Sequence, residues 1–268
     1  MACVPPPQTV QFQQWHSVTA TKEDGESQAA EDYLIRNLLA HGIWSSFDRI
    51  WWFATSVQAN AKIPLNAPSA TAVTEVNSPI WAKNRGYRGN GTTSYENLGW
   101  APSAGSNYTQ NDGSMGFYAN RDSTLKATVE IGSYQASPAY MVYLASQALN
   151  TSPSAIAGNI NQSLGTYLQQ NPSAQTVGTG FYSVQRTSSS ANALYKNGSL
   201  VASNDLGSQT STGRPPYNLC ANAYNNNNSG GAGFSQKRIS FVYAASSAVN
   251  GITFYNDVLT ALTKVNAQ

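Results

Sequence analysis

Carboxylates are the first residues to weigh for chemistry, because cleavage of a glycosidic bond needs two of them at a fixed separation. Beyond residue 32 the acids are Asp48, Glu75, Glu96, Asp112, Asp122, Glu130, Asp205 and Asp257, and no two stand close together on one predicted strand. That spacing weighs against a sandwich glycanase and leaves Glu96 and Glu130 as the acids to change if hydrolysis were found. A serine or cysteine nucleophile needs a base, usually histidine. His16 and His41 both precede the strand-rich region, and His41 reads as a helix-end residue at the negative pole of the helix dipole. The reading is therefore non-enzymatic, with no catalytic residue assigned. Asp112 and Asp122 flank a predicted strand and offer a calcium loop as one reading; turn and surface acids are the simpler one, and no metal is assigned. The chain has no Cys/His spacing for zinc and no glycine-rich phosphate loop ahead of a helix, so no cofactor is expected. Cys3 and Cys220 lie near opposite ends of the strand-rich chain. Two reduced thiols is the favoured reading, with a disulfide pinning the amino-terminal arm as the alternative.

Binding chemistry is better supplied than catalysis. Trp100, Tyr108, Tyr217 and Tyr224 sit among Gly, Ser, Asn and Pro. Sugars present C–H faces that pack on aromatic rings, while Asn and Asp side chains exchange hydrogen bonds with their hydroxyls. These four aromatics are the candidate ligand-binding residues, with core or interface packing as the competing fate of each. Trp51, Trp52 and Tyr195 read as structural.

The scaffold that must hold them is written in composition and periodicity. Only 10 % of the 268 residues are charged, against roughly 25 % in ordinary globular chains. Polarity comes instead from Asn, Ser, Thr, Gln and Gly. A net charge of +2 supplies no field to draw in nucleic acid. Low charge suits packing against copies or neighbours in an assembly, where a buried lone charge is costly. The opening "MACVPPPQTV" has neither the basic start nor the apolar run of a secretory signal. No stretch approaches the roughly 18 apolar residues of a membrane span.

Residues 1–26 read as an extended arm, with "VQFQQW" as a short apolar piece able to lie on the body, and 27–268 as one domain. The first persuasive helix is "ESQAAEDYLIRNLLAHGIW", capped by Ser27, with Tyr33, Leu34, Ile35 and Leu38 on its apolar side and Gly42 as its stop. "FDRIWWFATS" is apolar on both faces, which predicts a strand covered on both sides: Phe47, Trp51 and Phe53 on one, Ile50 and Trp52 on the other. Short strands between turn residues then run to about residue 245, beginning with "NAKIPLNAP". Asn90-Gly91 predicts a hairpin. "NALYKNGSLVAS" predicts a stronger one, with Asn197-Gly198 in a type I′ turn, Tyr195 opposite Leu200 and Leu194 opposite Val201. Residues 148–175 are the least regular part, and "NNNNSGG" reads as a flexible loop tip. "NGITFYNDVLTALTKV" closes the chain as a helix with Phe254, Val258 and Leu262 on one face. The fold class is mainly β: a two-sheet antiparallel sandwich with flanking helices.

The segments "LLAHGIWSSFDRIWWFA", "LNAPSATAVTEVNSPIWAKNRGYRGNGTTSYENLGW", "LYKNGSLVAS" and "ITFYNDVLTALTKV", in that order, resemble bacteriophage structural proteins with a concanavalin A-like lectin/glucanase (laminin-G-like) jelly roll. The resemblance covers most of residues 30–265. It implies a jelly-roll sandwich and a non-enzymatic place on a virion as a tail, fibre or capsid-decorating component. Its implied partners are other virion proteins and copies of itself, with a host-surface glycan as a further one; nucleic acid and membrane insertion are not expected. A free-standing carbohydrate-binding adhesin is the alternative. The paired strand acids of the glucanase branch have no counterpart here, and the calcium and sugar ligands of the lectin branch have no residue-by-residue match.

Overall fold

Alternation of large apolar side chains decides the layers. The computed structural model describes residues 7–121, 128–146, 156–162, 168–169, 178–203, 210–249 and 251–268. Helices α1 (Val10–Val18) and α2 (Gly25–Ala40) come first, and α3 (Ile252–Lys264) comes last. Between them run β1 (Phe47–Trp52), β2 (Thr74–Val76), β3 (Ile80–Ala82), β4 (Gly86–Arg88), β5 (Tyr95–Asn97), β6 (Gly113–Arg121), β7 (Ile131–Gln135), β8 (Tyr140–Ala145) and β9 (Ala157–Gln162). They are followed by β10 (Leu168–Gln169), β11 (Gly180–Arg186), β12 (Asn192–Lys196), β13 (Ser199–Ser203), β14 (Cys220–Ala221), β15 (Tyr224–Asn226), β16 (Gly231–Ala232) and β17 (Arg238–Ala245).

The strands form two sheets. The first has the order β13-β12-β11-β6-β17-β4-β3, with β1 also paired to β17. The second has the order β10-β9-β8-β7-β14-β5-β2, with β15 paired to both β7 and β16. Among the described residues every pairing is antiparallel except that of β15 with β7. The sheets close on a core built from Trp51, Phe53, Tyr87, Phe117, Tyr182 and Val242 on one side and Leu98, Ile131, Val142, Leu144 and Ile160 on the other. Each such side chain contributes about 1.5–3 kcal/mol by leaving water. The two-sheet, jelly-roll-like sandwich with flanking helices is thus the predicted class.

The three helices cover the outer face of the first sheet. Phe12 and Trp15 of α1, Leu34 and Leu38 of α2, and Phe254, Val258 and Leu262 of α3 pack with Ile50, Trp52 and Phe241. So β1 is covered on both sides, as its pattern predicts. Phe47 changes face, however: a bulge between Phe47 and Arg49 in the β1–β17 register moves it to the helical side with Ile50 and Trp52.

Other local expectations are corrected by pairing and capping. Residues 10–18 form a helix rather than an extended arm, because Thr9 caps it and Phe12 and Trp15 are both buried. The cap of α2 is Asp24, whose carboxylate accepts from the Ser27 N–H, so Ser27 lies inside the helix. Gly42 (φ +70) does end that helix, with the Ile43 N–H returning to the Leu38 carbonyl. "NAKIPLNAP" contains a short 3-10 turn at Asn60–Lys62 in place of a strand. Asn90-Gly91 is not a hairpin turn: β4 and β5 belong to different sheets, and the Asn90 side chain accepts from the N–H groups of Thr92, Thr93 and Ser94 to shape the crossing. The β12–β13 hairpin does turn at Asn197 (φ 50) and Gly198 (φ 75) with Tyr195 opposite Leu200. Leu194 faces Ala202 instead of Val201, because a bulge intervenes. Cys220 is a buried free thiol, and Cys3 lies outside the described residues.

Candidate functional site

On the second sheet the outward side chains are mostly enclosed, and Tyr134, Tyr224 and Asn226, where β7 meets β15, keep part of their surface in water. Alternation along β7 and β8 sends Ile131, Val142 and Leu144 inward and Tyr134, Met141 and Tyr143 outward. Registers align the outward residues in two rungs. In one, Tyr143 stands between Gly132 of β7 and Asn159 of β9, and Tyr224 of β15 flanks Gly132 on its other side. In the second, Asn226, Tyr134, Met141 and Gln162 follow one another across β15, β7, β8 and β9.

Gly132 sets the spacing of the first rung. A Cβ there would meet the Tyr224 Cβ at 2.8 Å and the Tyr143 Cβ at 3.1 Å, so only glycine lets the two tyrosines close over the strand. Tyr224 and Tyr134 are half-buried, while Met141 and Tyr143 are each only 7 % exposed. Burial, with Tyr134 adding to it, raises the Tyr224 hydroxyl above its ordinary value, so it remains a neutral phenol at physiological pH. The exposed part of the face therefore offers the rings and hydroxyls of Tyr134 and Tyr224 and the amide of Asn226, while Met141, Tyr143, Asn159 and Gln162 are buried.

The asparagine run frames this surface. Rather than a loose tip, it forms the β15–β16 hairpin, with Asn227 (φ 52) and Asn228 (φ 61) in the left-handed region that asparagine tolerates. The Asn227 side chain accepts from the Ala136 N–H at 3.1 Å, and Asn225 donates to the Asn218 carbonyl at 3.1 Å. Those bonds tie the hairpin to the end of β7 and to the segment that carries Tyr217.

The aromatics singled out in the sequence divide. Tyr224 is on this face, and Tyr217 is half-buried with its carbonyl accepting from Ser133 Oγ. Trp100 and Tyr108 are in the core, 3 % and 1 % exposed, so neither presents a ring to a ligand. For Tyr108 the cause is Asp48, whose carboxylate collects the N–H groups of Ser106, Asn107 and Tyr108 and draws their loop inward, while Trp100 packs edge-on against Trp51 at 6.4 Å. The Tyr108 hydroxyl then donates to Asn161, and its ring meets Trp100 edge-on at 5.8 Å. Sequence reasoning missed Tyr134 and Tyr143: the doubly apolar "AYMVYLAS" could have marked Tyr143, while Tyr134 ends the separate segment "ATVEIGSY".

The acids are structural in their surroundings. Glu96 is fully buried and pushed up to about 8 by that burial, against the opposing hydrogen bond from Asn222. Burial also raises Glu130, opposed by Lys237 and by bonds from the Ser146 N–H, Thr128 and Ser235. His41 pairs with Asp257 between α2 and α3 at 2.9 Å. Asp112 accepts from the Ser247 N–H, and Asp122 lies outside the described residues. Among the described residues no cluster of three or more His, Cys, Asp or Glu is arranged to hold a metal ion, and no helix is long and apolar enough to cross a membrane.

No protein-family pattern matches the chain, and no curated protein matches it in sequence. Solved structures do match in fold. A mutant sialidase of Trypanosoma rangeli displaying trans-sialidase activity aligns over 86 % of this chain and 38 % of its own, at 8 % identity and a TM-score of 0.54. The botulinum neurotoxin serotype D binding domain aligns over 83 % of this chain and 52 % of its own, at 11 % identity and a TM-score of 0.52. The chain thus spans about half of the toxin structure and a smaller part of the sialidase. Domain 4 of AbnA, an extracellular arabinanase of Geobacillus stearothermophilus, in complex with arabinotriose, aligns over 80 % of this chain and 98 % of its own, at 10 % identity and a TM-score of 0.48. At these identities the likeness defines a class of architecture, the jelly-roll-like β-sandwich.

Proposed function

We propose that this chain is a non-catalytic carbohydrate-binding sandwich module. The observation that carries the reading is the half-exposed patch on the second sheet where Tyr134 and Tyr224, backed by Gly132 and the buried Tyr143, stand beside Asn226. Tyrosine supplies flat apolar area and a hydrogen-bonding tip on one rigid side chain, which suits a sugar ring and its hydroxyls. The non-catalytic part is supported by the enclosure of Glu96 and Glu130 and by the position of His41 in the helical layer. Part of a sialidase has this architecture, in keeping with a glycan partner.

The test is binding of the purified chain to an array of oligosaccharides, with Tyr134→Ala and Tyr224→Ala compared by thermal melting to establish folding. Each variant should weaken binding by about tenfold or more. Folded variants with unchanged binding would remove the tyrosine face from the reading. Release of reducing sugar that disappears in Glu96→Gln would replace a binding module with a hydrolase.

The location we propose is a bacteriophage particle, as a tail, fibre or head component beside other virion proteins. Its support is the sequence resemblance together with the low overall charge. Antibody raised against the chain should label particles at one regular position; intact particles with neither label nor the protein in their denatured contents would count against it.

A further inference from the structure

Charge is distributed unevenly in this molecule. No Asp, Glu, Lys or Arg occurs from Ile131 to Gln185, and none from Pro215 to Gln236. Those two stretches supply β7 to β10 and β14 to β16, every strand around the tyrosine rungs. The charged residues bordering them face elsewhere. Arg186 is fully buried, with Nε on the Ile160 carbonyl and Nη1 on those of Ser188 and Ser189. Arg214 turns Nη1 to the carbonyls of Pro102, Gly105 and Tyr108. Lys237 is 2 % exposed, and its charge acts on the buried Glu130.

We propose that the half-exposed patch of Tyr134, Tyr224 and Asn226 on the second sheet selects uncharged oligosaccharides over those carrying carboxylate or sulfate groups. This rests on the carbohydrate-binding reading. A sugar carboxylate brought onto this face sheds hydration, and the surrounding strands offer no cation to replace it. A neutral sugar gives up only hydroxyl–water bonds, which phenols and amides replace nearly one for one, while the rings cover its C–H face. Binding of this kind is insensitive to salt, because no charge is screened.

The test uses the full chain and a fixed set of probes. Maltohexaose, mannohexaose and lacto-N-tetraose are the neutral ones; sialylated lacto-N-tetraose and oligogalacturonate are the anionic ones. Each is titrated at about 20 and about 500 mM NaCl. At least one neutral probe should bind with a Kd that changes less than about twofold with salt, and the anionic probes should bind about tenfold more weakly or worse. Asn226→Lys supplies the missing cation, since Asn226 stands in register with Tyr134 on the same face. It should raise the ratio of anionic to neutral binding by about threefold or more at low salt and lose that gain at high salt. An unaltered chain that binds an anionic probe as tightly as a neutral one overturns the selectivity while the carbohydrate reading stands. A folded chain that binds no probe of either class overturns the carbohydrate reading and the selectivity with it.

Discussion

Glu96 concentrates the physics of single residues in this protein. Its carboxyl is enclosed between the sheets, and burial raises it to about 8. Glu31 on α2 is similarly enclosed, with both carboxyl oxygens lacking a hydrogen-bond partner, and burial raises it well above the ordinary carboxylate value. A folded-state value raised above the unfolded one means that the native state holds the proton more tightly. Stability from Glu96 is therefore fully present below the unfolded value and is lost as pH rises toward its folded value. The slope reaches about 1.4 kcal/mol per pH unit for one such group. Urea unfolding between about pH 5 and pH 8 should show stability falling with pH, and Glu96→Gln should make that fall shallower. An unchanged slope in the variant would mean that Glu96 is ionised in the folded chain. Tyr224 and Tyr108 show how surroundings separate two like residues: one stands half-exposed beside Gly132, and the other is drawn inward by Asp48.

At the scale of elements, turns and caps govern where strands and helices begin. The β12–β13 turn needs Gly198, because its φ is +75 and an added Cβ would stand 2.8 Å from the Ile252 Cα of α3. Gly198→Ala should therefore cost about 1 kcal/mol or more, read as a lower urea midpoint. Helix α1 depends on tertiary contact more than on propensity, since nine residues are too few to hold a helix alone in water. Trp15 anchors it, 1 % exposed, with Nε1 donating to the Ile63 carbonyl at 3.3 Å. Trp15→Ala should lower stability by about 3 kcal/mol or more, and hydrogen exchange should show α1 opening first. Full protection of α1 in that variant would show that Phe12 and the Thr9 cap suffice.

At the scale of the molecule, the two sheets have different outer surroundings. The first is enclosed between the common core and three helices, and the helical segments carry Glu23, Asp24, Glu31, Asp32 and Arg36. The second has an outward surface of tyrosine, methionine, glycine and amide. One side of the sandwich is thus fastened by packing and charge, while the other keeps Tyr134, Tyr224 and Asn226 partly exposed, the patch we propose for recognition. Removing residues 1–18 should uncover the surface on which Phe12 and Trp15 sit, lowering Tm and increasing binding of a hydrophobic dye. Glycan binding on the far sheet should survive at temperatures where the shortened chain is folded; its loss there would show that the helical layer also supports the recognition face.

The sequence by itself determined the sandwich class, the helices α2 and α3, the double covering of β1 and the Asn197-Gly198 turn. Each depends on local rules: periodicity, breaker residues and left-handed positions, all readable within a few residues. Tertiary structure alone decided which aromatics became surface and which became core. Trp100 and Tyr108 lie in glycine- and serine-rich loops, yet a carboxylate sixty positions before Tyr108 draws that residue inward, and Trp100 packs edge-on against Trp51 and Tyr108. Tyr134, Tyr143 and Tyr224 become one surface only because β15 pairs parallel to β7 while β7 pairs antiparallel to β8. Long-range register of that kind leaves no mark in a local window, because it is set by which strands meet across the sheet rather than by the residues of any one strand.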